Sequence, residues 1–265
     1  MRSSYAMKSP LISIVIPSYN KAKYIEKTLL SIVSQKNANF EVIIQDGGST
    51  DGTLNVIKKY VKKYPSLIRY ESKKDGGQLD AINNGLLKAK GDIVTFINAD
   101  DVYEPGAFES VAGHFIENPN ALWFVGKCRI INDKDYEIAK FWTFCKDILI
   151  KINWYSLLLF TSNYVSQPST FITKKAYLKY GPFTGNKKFV YEYDMWLTLG
   201  KVMMPSVINK YLSKFRISDD NISSVIYNDL FDMDINVVKK HSRNNIFVYA
   251  HKINNYLRIL ARRSL

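Results

Sequence analysis

The sequence predicts an α/β fold: a mostly parallel sheet flanked by helices, with a helical C-terminal extension. Three observations carry this. Strand-like and helix-like segments alternate four times within the first hundred residues, which implies parallel strands joined by right-handed crossovers. Polar clusters at 17–20, 46–49 and 98–101 each follow an apolar run, and ligands of such sheets bind off the carboxyl ends of the strands. From residue 228 onward the apolar spacing is that of one or two amphipathic helices.

Residues 12–16 (ISIVI) are mostly β-branched and end at Pro17, as a buried strand would. Ile25, Leu29, Ile32 and Val33 recur at helical spacing. Residues 42–44 form a second strand that runs into the turn-forming Asp46-Gly47-Gly48-Ser49. Asp51 can cap the next helix, whose apolar face is Leu54, Ile57, Tyr60 and Val61. Residues 68–71 are a third strand. The loop Lys74-Asp75-Gly76-Gly77 opens a helix through Ile82, Leu86 and Leu87 that should stop at Gly91. Residues 93–97 are a fourth strand and deliver Asn98-Ala99-Asp100-Asp101. In the second half, 122–125 and 138–142 read as strands, and 154–160 as an apolar helix or buried segment. Residues 174–180 read as a short helix stopped by Gly181-Pro182, and 192–199 as a helix.

Composition narrows the function classes. The chain of 265 residues is 46% hydrophobic, enough for one well-buried α/β domain, or one domain with a small appendage. Cys128 and Cys145 lack metal or redox spacing, and His114, His241 and His251 form no ligand pattern, so they read as ordinary thiols and histidines. No glycine-rich phosphate loop with its Lys-Ser/Thr is present, which argues against NTP hydrolysis. No secretory signal and no span long enough to cross a bilayer is visible. The formal net charge is +13, and no acidic residue follows Asp234. Such charge can serve nucleic acid, anionic lipid or phosphorylated substrates. No nucleic-acid motif accompanies it, so nucleic acid is not an expected partner.

Asp100-Asp101 is the sharpest chemical feature. Two carboxylates at a strand end suit a hard divalent cation, Mn²⁺ or Mg²⁺, completed by substrate phosphates. A helix cap near Pro105 would also use an Asp here.

The run from Ile12 to Asp101 resembles the inverting glycosyltransferases of family 2, which have the Rossmann-like GT-A fold. The matching stretches are SIVIPSYNKAKYIEKTLLSIVSQ, FEVIIQDGGSTDGTLNVI and DGGQLDAINNGLLKAKGDIVTFINADDVYEPGAF. The resemblance resumes at VSQPSTFITKKAYLKYGPF and YEYDMWLTL and covers about residues 10–200. It implies a GT-A catalytic domain over 8–220, with a nucleotide-sugar half (8–126) and an acceptor half (127–220), then an amphipathic helical segment over 221–265. It implies transfer of a sugar from a nucleotide diphosphate sugar to an acceptor hydroxyl, in surface polysaccharide, O-antigen or capsule biosynthesis. The rival readings are a sugar nucleotidyltransferase, whose glycine-rich loop is absent, and a non-catalytic scaffold of the same fold.

The resemblance also implies residue roles. Pro17, Ser18 and Tyr19 seat the base and ribose, Tyr19 as a stacking face or simply a packed aromatic. Asp46 contacts the nucleoside. Relatives often have Asp-Asp-Gly-Ser where this chain has Asp46-Gly47-Gly48-Ser49. Asp75 and Gln78 lie near ribose and diphosphate, although Asp75 could equally be a turn residue. The metal motif usually begins with Asp, here Asn98, which places the ion mainly on Asp101, with Asp100 on ribose or a metal-bound water. An acceptor-side carboxylate acts as base: Glu192 by register, with Asp194 as the alternative. Gln167-Pro168-Ser169 resembles the acceptor-side loop. The expected location is the cytoplasm, with peripheral contact at the inner face of the cell membrane through the basic, apolar tail and a glycan or lipid-linked sugar as acceptor. The competing reading packs the tail's apolar face on the catalytic domain.

Overall fold

A computed structural model describes residues 9–152, 156–185, 190–218 and 227–262. The first half alternates as expected: β1 (Leu11–Ser18), α1 (Ile25–Val33), β2 (Asn39–Asp46), α2 (Thr53–Lys63), β3 (Ile68–Ser72), α3 (Gln78–Lys88), β4 (Ile93–Phe96), β5 (Val102–Tyr103) and α4 (Ala107–Glu117). Then follow β6 (Trp123–Ile131), β7 (Glu137–Ile138), α5 (Lys140–Lys151), α6 (Ser156–Thr161), β8 (Thr170–Thr173), α7 (Lys174–Tyr180), α8 (Tyr191–Gly200) and β9 (Ser206–Arg216). Two C-terminal helices close the chain, α9 (Tyr227–His241) and α10 (Asn245–Arg262).

Among the described residues, nine strands form one sheet in the order β3-β2-β1-β4-β8-β6-β9-β5, with β7 paired to β6. Strands β1 to β4 are mutually parallel. β8 runs antiparallel between β4 and β6. β9 returns parallel to β6, and β5 pairs antiparallel with β9. The period-2 alternation of β1 splits the core into two layers. Ile12, Ile14 and Ile16 pack with Ile25, Leu29, Ile32 and Ile57 of α1 and α2. Val15 faces the other way, with Leu79, Ile82 and Leu86 of α3. Each fully buried side chain of this kind contributes about 1.5–3 kcal/mol. Gly85 lets α3 lie directly on β1, because a Cβ there would collide with Val15. On the same face Trp123 of β6 stacks on Trp196 of α8, with ring centroids 5.5 Å apart.

Several elements differ from the sequence expectation. β1 continues through Pro17 to Ser18. β4 stops pairing at Val15, so the missing Pro17 N–H breaks no ladder on that side. α3 ends at Lys88 rather than Gly91: Ala89 turns extended, and the Gly91 N–H donates to Ser13 Oγ at 2.8 Å. Residues 140–142, read as strand, begin α5, whose buried Thr143 and Ile150 lie two helical turns apart. β8 and β9 had no sequence prediction. Of the 154–160 segment, residues 156–160 are helical, and 154–155 lie outside the described residues.

Both C-terminal helices lie against the α/β body of the protein. Phe247 of α10 stacks on Phe160 of α6 at 5.2 Å. His251 is buried, with Nδ1 3.1 Å from Phe160 O and its ring stacked on Tyr193 of α8. Ile246, Tyr249, Ile253, Tyr256 and Leu257 remain exposed on the other face of α10. The tail therefore satisfies neither sequence reading alone: one face packs, and a second apolar stripe stays in solvent.

Candidate active site

The carboxyl ends of β1, β2 and β4 share one edge of the sheet, and their loops are stitched together. Ser18 O accepts the Gly47 N–H at 2.8 Å. Asn20 Oδ1 accepts the Thr50 N–H and Ser49 Oγ accepts the Asn20 N–H, both at 2.9 Å. Gln78, the first residue of α3, donates Nε2 to Asn98 Oδ1 at 2.6 Å. The three polar clusters thus meet in one place.

Within this edge the predicted residues divide by exposure. Pro17 and Ser18 are buried inside β1, whereas Tyr19 is 61% exposed. Asp46 is buried, and its carboxylate serves its own loop: Oδ2 accepts the N–H groups of Gly48 and Ser49 and the Ser72 hydroxyl, and Oδ1 accepts the Ser49 hydroxyl at 2.5 Å. Asp75 Oδ1 accepts the Gly77 N–H at 2.9 Å.

The paired carboxylates lie where β4 gives way to β5. Asp100 Oδ2 receives the Lys21 ammonium at 2.7 Å. Asp101 is fully buried; its Oδ1 accepts the Arg216 N–H at 2.8 Å, and its backbone oxygen accepts the Thr28 hydroxyl at 2.7 Å. Its Oδ2 has no hydrogen-bond partner among the described residues. Burial, and then the neighbouring Asp100 charge, push the Asp101 carboxyl well above the usual carboxylate range, against the pull of Arg216 and Lys21. An orphaned buried carboxylate oxygen beside a second carboxylate fits a hard divalent cation. Among the described residues no group of three or more His, Cys, Asp or Glu gathers here, so water and substrate phosphates would have to complete the shell.

The two candidate bases share α8 but not an environment, because residues two apart point to different sides of a helix. Glu192 is half-buried, and its Oε2 is out of solvent with no partner among the described residues. Burial, and then the Asp234 charge, push its carboxyl up to about 7. Tyr191, one residue earlier, packs against Phe96 at the end of β4 with centroids 6.3 Å apart. Asp194 is held by Thr184 Oγ1 at 3.0 Å, Lys240 Nζ at 2.8 Å and His241 Nε2 at 2.7 Å. Burial alone would raise Asp194, but these hydrogen bonds outweigh it and hold the carboxyl at about 2.

Sequence reasoning missed Lys21, Arg216, Lys240 and His241. Lys21 directly follows the quoted Ser-Tyr-Asn and could have been found. Arg216 could not, since it ends an unpredicted strand. It is fully buried and donates to Asp100 O, Asn132 O and Asp135 Oδ1. His241 is no ordinary histidine but a partner of Asp194. Gln167 Nε2 donates to Phe96 O at 2.6 Å, and Ser169 Oγ donates to Lys127 O, so that loop braces β4 and β6. A buried cavity of about 10 Å³ between Leu86, Phe96, Phe183 and Trp196 has room for one water and includes none of the predicted catalytic, nucleotide or metal residues.

A sequence model described as "Glycosyl transferase family 2" matches residues 13–183, well over half of the chain. The chain belongs to glycosyltransferase family 2. As a family 2 glycosyltransferase it is 29% identical over 225 residues to a chondroitin synthase of Pasteurella multocida, covering 84% of this chain and 22% of the synthase. Two solved structures show its fold to be GT-A. TarS 1-349 of S. aureus in complex with UDP-GlcNAc superposes with a TM-score of 0.67 at 20% identity, covering 87% of this chain and 66% of that one. The mannosyltransferase PcManGT of Pyrobaculum calidifontis, in complex with GDP-Man and Mn²⁺, gives 0.69 at 16% identity, covering 92% and 69%. The chain thus spans about a fifth of the synthase and two thirds of the TarS fragment.

Proposed function

We propose that this glycosyltransferase moves a sugar from a nucleoside diphosphate sugar to an acceptor hydroxyl by a divalent-ion-dependent, inverting displacement, in the assembly of a surface polysaccharide. The observation that carries the reading is the orphaned, buried Asp101 Oδ2 between β4 and β5; Glu192, a proton-accepting carboxyl on the helix whose Tyr191 packs on Phe96 of β4, supports it. The bound nucleotide sugars of TarS and PcManGT and the polysaccharide named in the Pasteurella synthase support the substrate class.

Asp101 and Asp100 would hold Mn²⁺ or Mg²⁺, which when bound offsets charge growing on the leaving diphosphate. Tyr19, Asp75 and Gln78 line the side where the nucleoside would lie, and Asp46 keeps that loop in shape. Glu192 takes the acceptor hydroxyl proton as its oxygen bonds to the anomeric carbon, while the bond from that carbon to the diphosphate breaks. With Glu192 as the proton acceptor on the acceptor side and no nucleophile evident among the described residues, the anomeric centre inverts. Asp194, ionised and held by three partners, is the poorer base.

The exposed apolar stripe of α10, with Lys252 and Arg243 beside it, supports peripheral contact with an anionic membrane and a lipid-linked acceptor. Among the described residues no helix is long and apolar enough to cross a membrane.

The test is Asp101→Asn, which keeps the acceptor for the Arg216 N–H and removes the charge. It should lose metal-dependent transfer by about 10²-fold or more while its melting temperature holds. Normal turnover would sink the metal assignment, and a product of retained configuration would reject the mechanism.

A further inference from the structure

Lys21 stands in the loop between β1 and α1, and its backbone is fixed on both sides. Its N–H donates to Thr53 Oγ1 at 2.8 Å. Its carbonyl oxygen accepts the N–H groups of Tyr24 and Ile25, both at 3.0 Å, where α1 begins. From that root the side chain crosses to the acidic turn 79 positions further on, where Nζ donates to Asp100 Oδ2 at 2.7 Å. The pair is secluded: the two side chains are 24% and 7% exposed. Lys23 and Lys59 make their ion pairs at 60% and 69% exposure, where water screens the attraction and little is gained. A carboxylate taken out of water needs a counter-charge, because burial strips its hydration. Lys21 supplies one to Asp100, while Asp101 beside it keeps an oxygen with no hydrogen-bond partner among the described residues.

We propose that Lys21 is a built-in competitor of the divalent ion: its ammonium serves as the counter-charge of the acidic pair, and an ion must drive it off Asp100 to bind. The proposal rests on the reading above that Asp100 and Asp101 hold Mn²⁺ or Mg²⁺. An ion on Asp101 Oδ2 that also draws on Asp100 shares a carboxylate with the ammonium, and two cations on one carboxylate repel. The lysine has a flexible stem and can withdraw. Asp100 cannot follow it, since its backbone oxygen is held by Arg216 Nε at 2.8 Å. The ion alone therefore binds weakly, and the acidic turn keeps its counter-charge whenever no ion is bound.

The experiment is calorimetric titration of the full chain with Mn²⁺ alone. Lys21→Met, which keeps the stem and removes the charge, should bind Mn²⁺ more tightly than wild type by about tenfold or more. Lys21→Arg, which keeps the charge, should bind it as weakly as wild type. In an Asp100→Asn background Lys21→Met should gain nothing, because the ammonium acts through that carboxylate. Lys21→Gln, whose amide still donates to Asp100, takes the place of Lys21→Met if the latter melts early. A lysine that merely ties the loop to the turn would, once replaced, lower the melting temperature and leave Mn²⁺ binding unchanged or weaker. That result, or a gain that persists beside Asp100→Asn, would overturn the competition and leave the metal assignment intact. If none of these proteins binds Mn²⁺, the competition is overturned, and if UDP and GDP bring no binding either, the metal assignment falls with it.

Discussion

Glu192 and Asp194 are two residues apart, yet their protons behave oppositely. Glu192, pushed up to about 7 by burial and Asp234, is half protonated at neutral pH and, as the proposed base, would gain activity as it ionises. kcat/KM should therefore rise with pH to a plateau above about 7, and Glu192→Gln should lose transfer and that rising limb together. The same shift acts on stability. The folded state holds a proton that the unfolded chain releases near 4.5, so this contribution is full below 4.5 and lost as pH rises through about 7. Glu192→Gln should gain on the order of 1–2 kcal/mol over wild type at pH 8 and nothing at pH 4, which thermal melts at the two pH values will read. The sequence register singled out Glu192, but its environment was not legible there. Asp234, which sets part of the shift, lies 42 positions away on α9, and no local motif ties the two together.

At the scale of elements, α9 holds α8 through Asp194. Removing a partner leaves a buried carboxylate short of hydrogen bonds, which is costly. His241→Ala and Lys240→Ala should each lower the melting temperature by several degrees, with the double variant costing less than the sum. The Asp194 contribution is present above about 3.8 and fades as pH falls toward 2. Legibility followed burial pattern. β1, β2 and β4 were found because Ile12, Ile14, Ile16, Val42, Ile44 and Ile93 on one face, and Val15, Ile43 and Val94 on the other, make β-branched runs buried on both faces. β9 was missed because its sequence SVINKYLSKFR interleaves lysines with apolar residues, and its pairing with β6 shifts register around Lys127. α5 was half misread because Phe141 and Trp142 favour strands in isolation, while the helix is decided by what Thr143 and Ile150 bury against.

On the scale of the whole molecule, the catalytic sheet is complete without the outer face of α10. Lys240 and His241 hold Asp194, so truncating the tail from residue 239 would damage the site as well as any membrane contact. Tyr249→Ser with Ile253→Ser and Leu257→Ser changes only exposed positions. Co-sedimentation with anionic vesicles should fall about tenfold in this variant and fall for wild type at high salt, with turnover on a soluble acceptor unchanged. Absence of wild-type binding at low salt would leave α10 as a brace for α6 and α8 alone. The strand order has a further consequence for how the protein comes into being. β5, which directly follows Asp101, pairs with β9, and Arg216, which bonds the Asp101 carboxylate and the Asp100 backbone oxygen, arrives 115 positions later. During synthesis the ribosome releases the acidic turn long before its partner strand exists. The last sheet strand to emerge is thus the one that closes the site, and a nascent chain halted before it carries the acidic pair without its anchor.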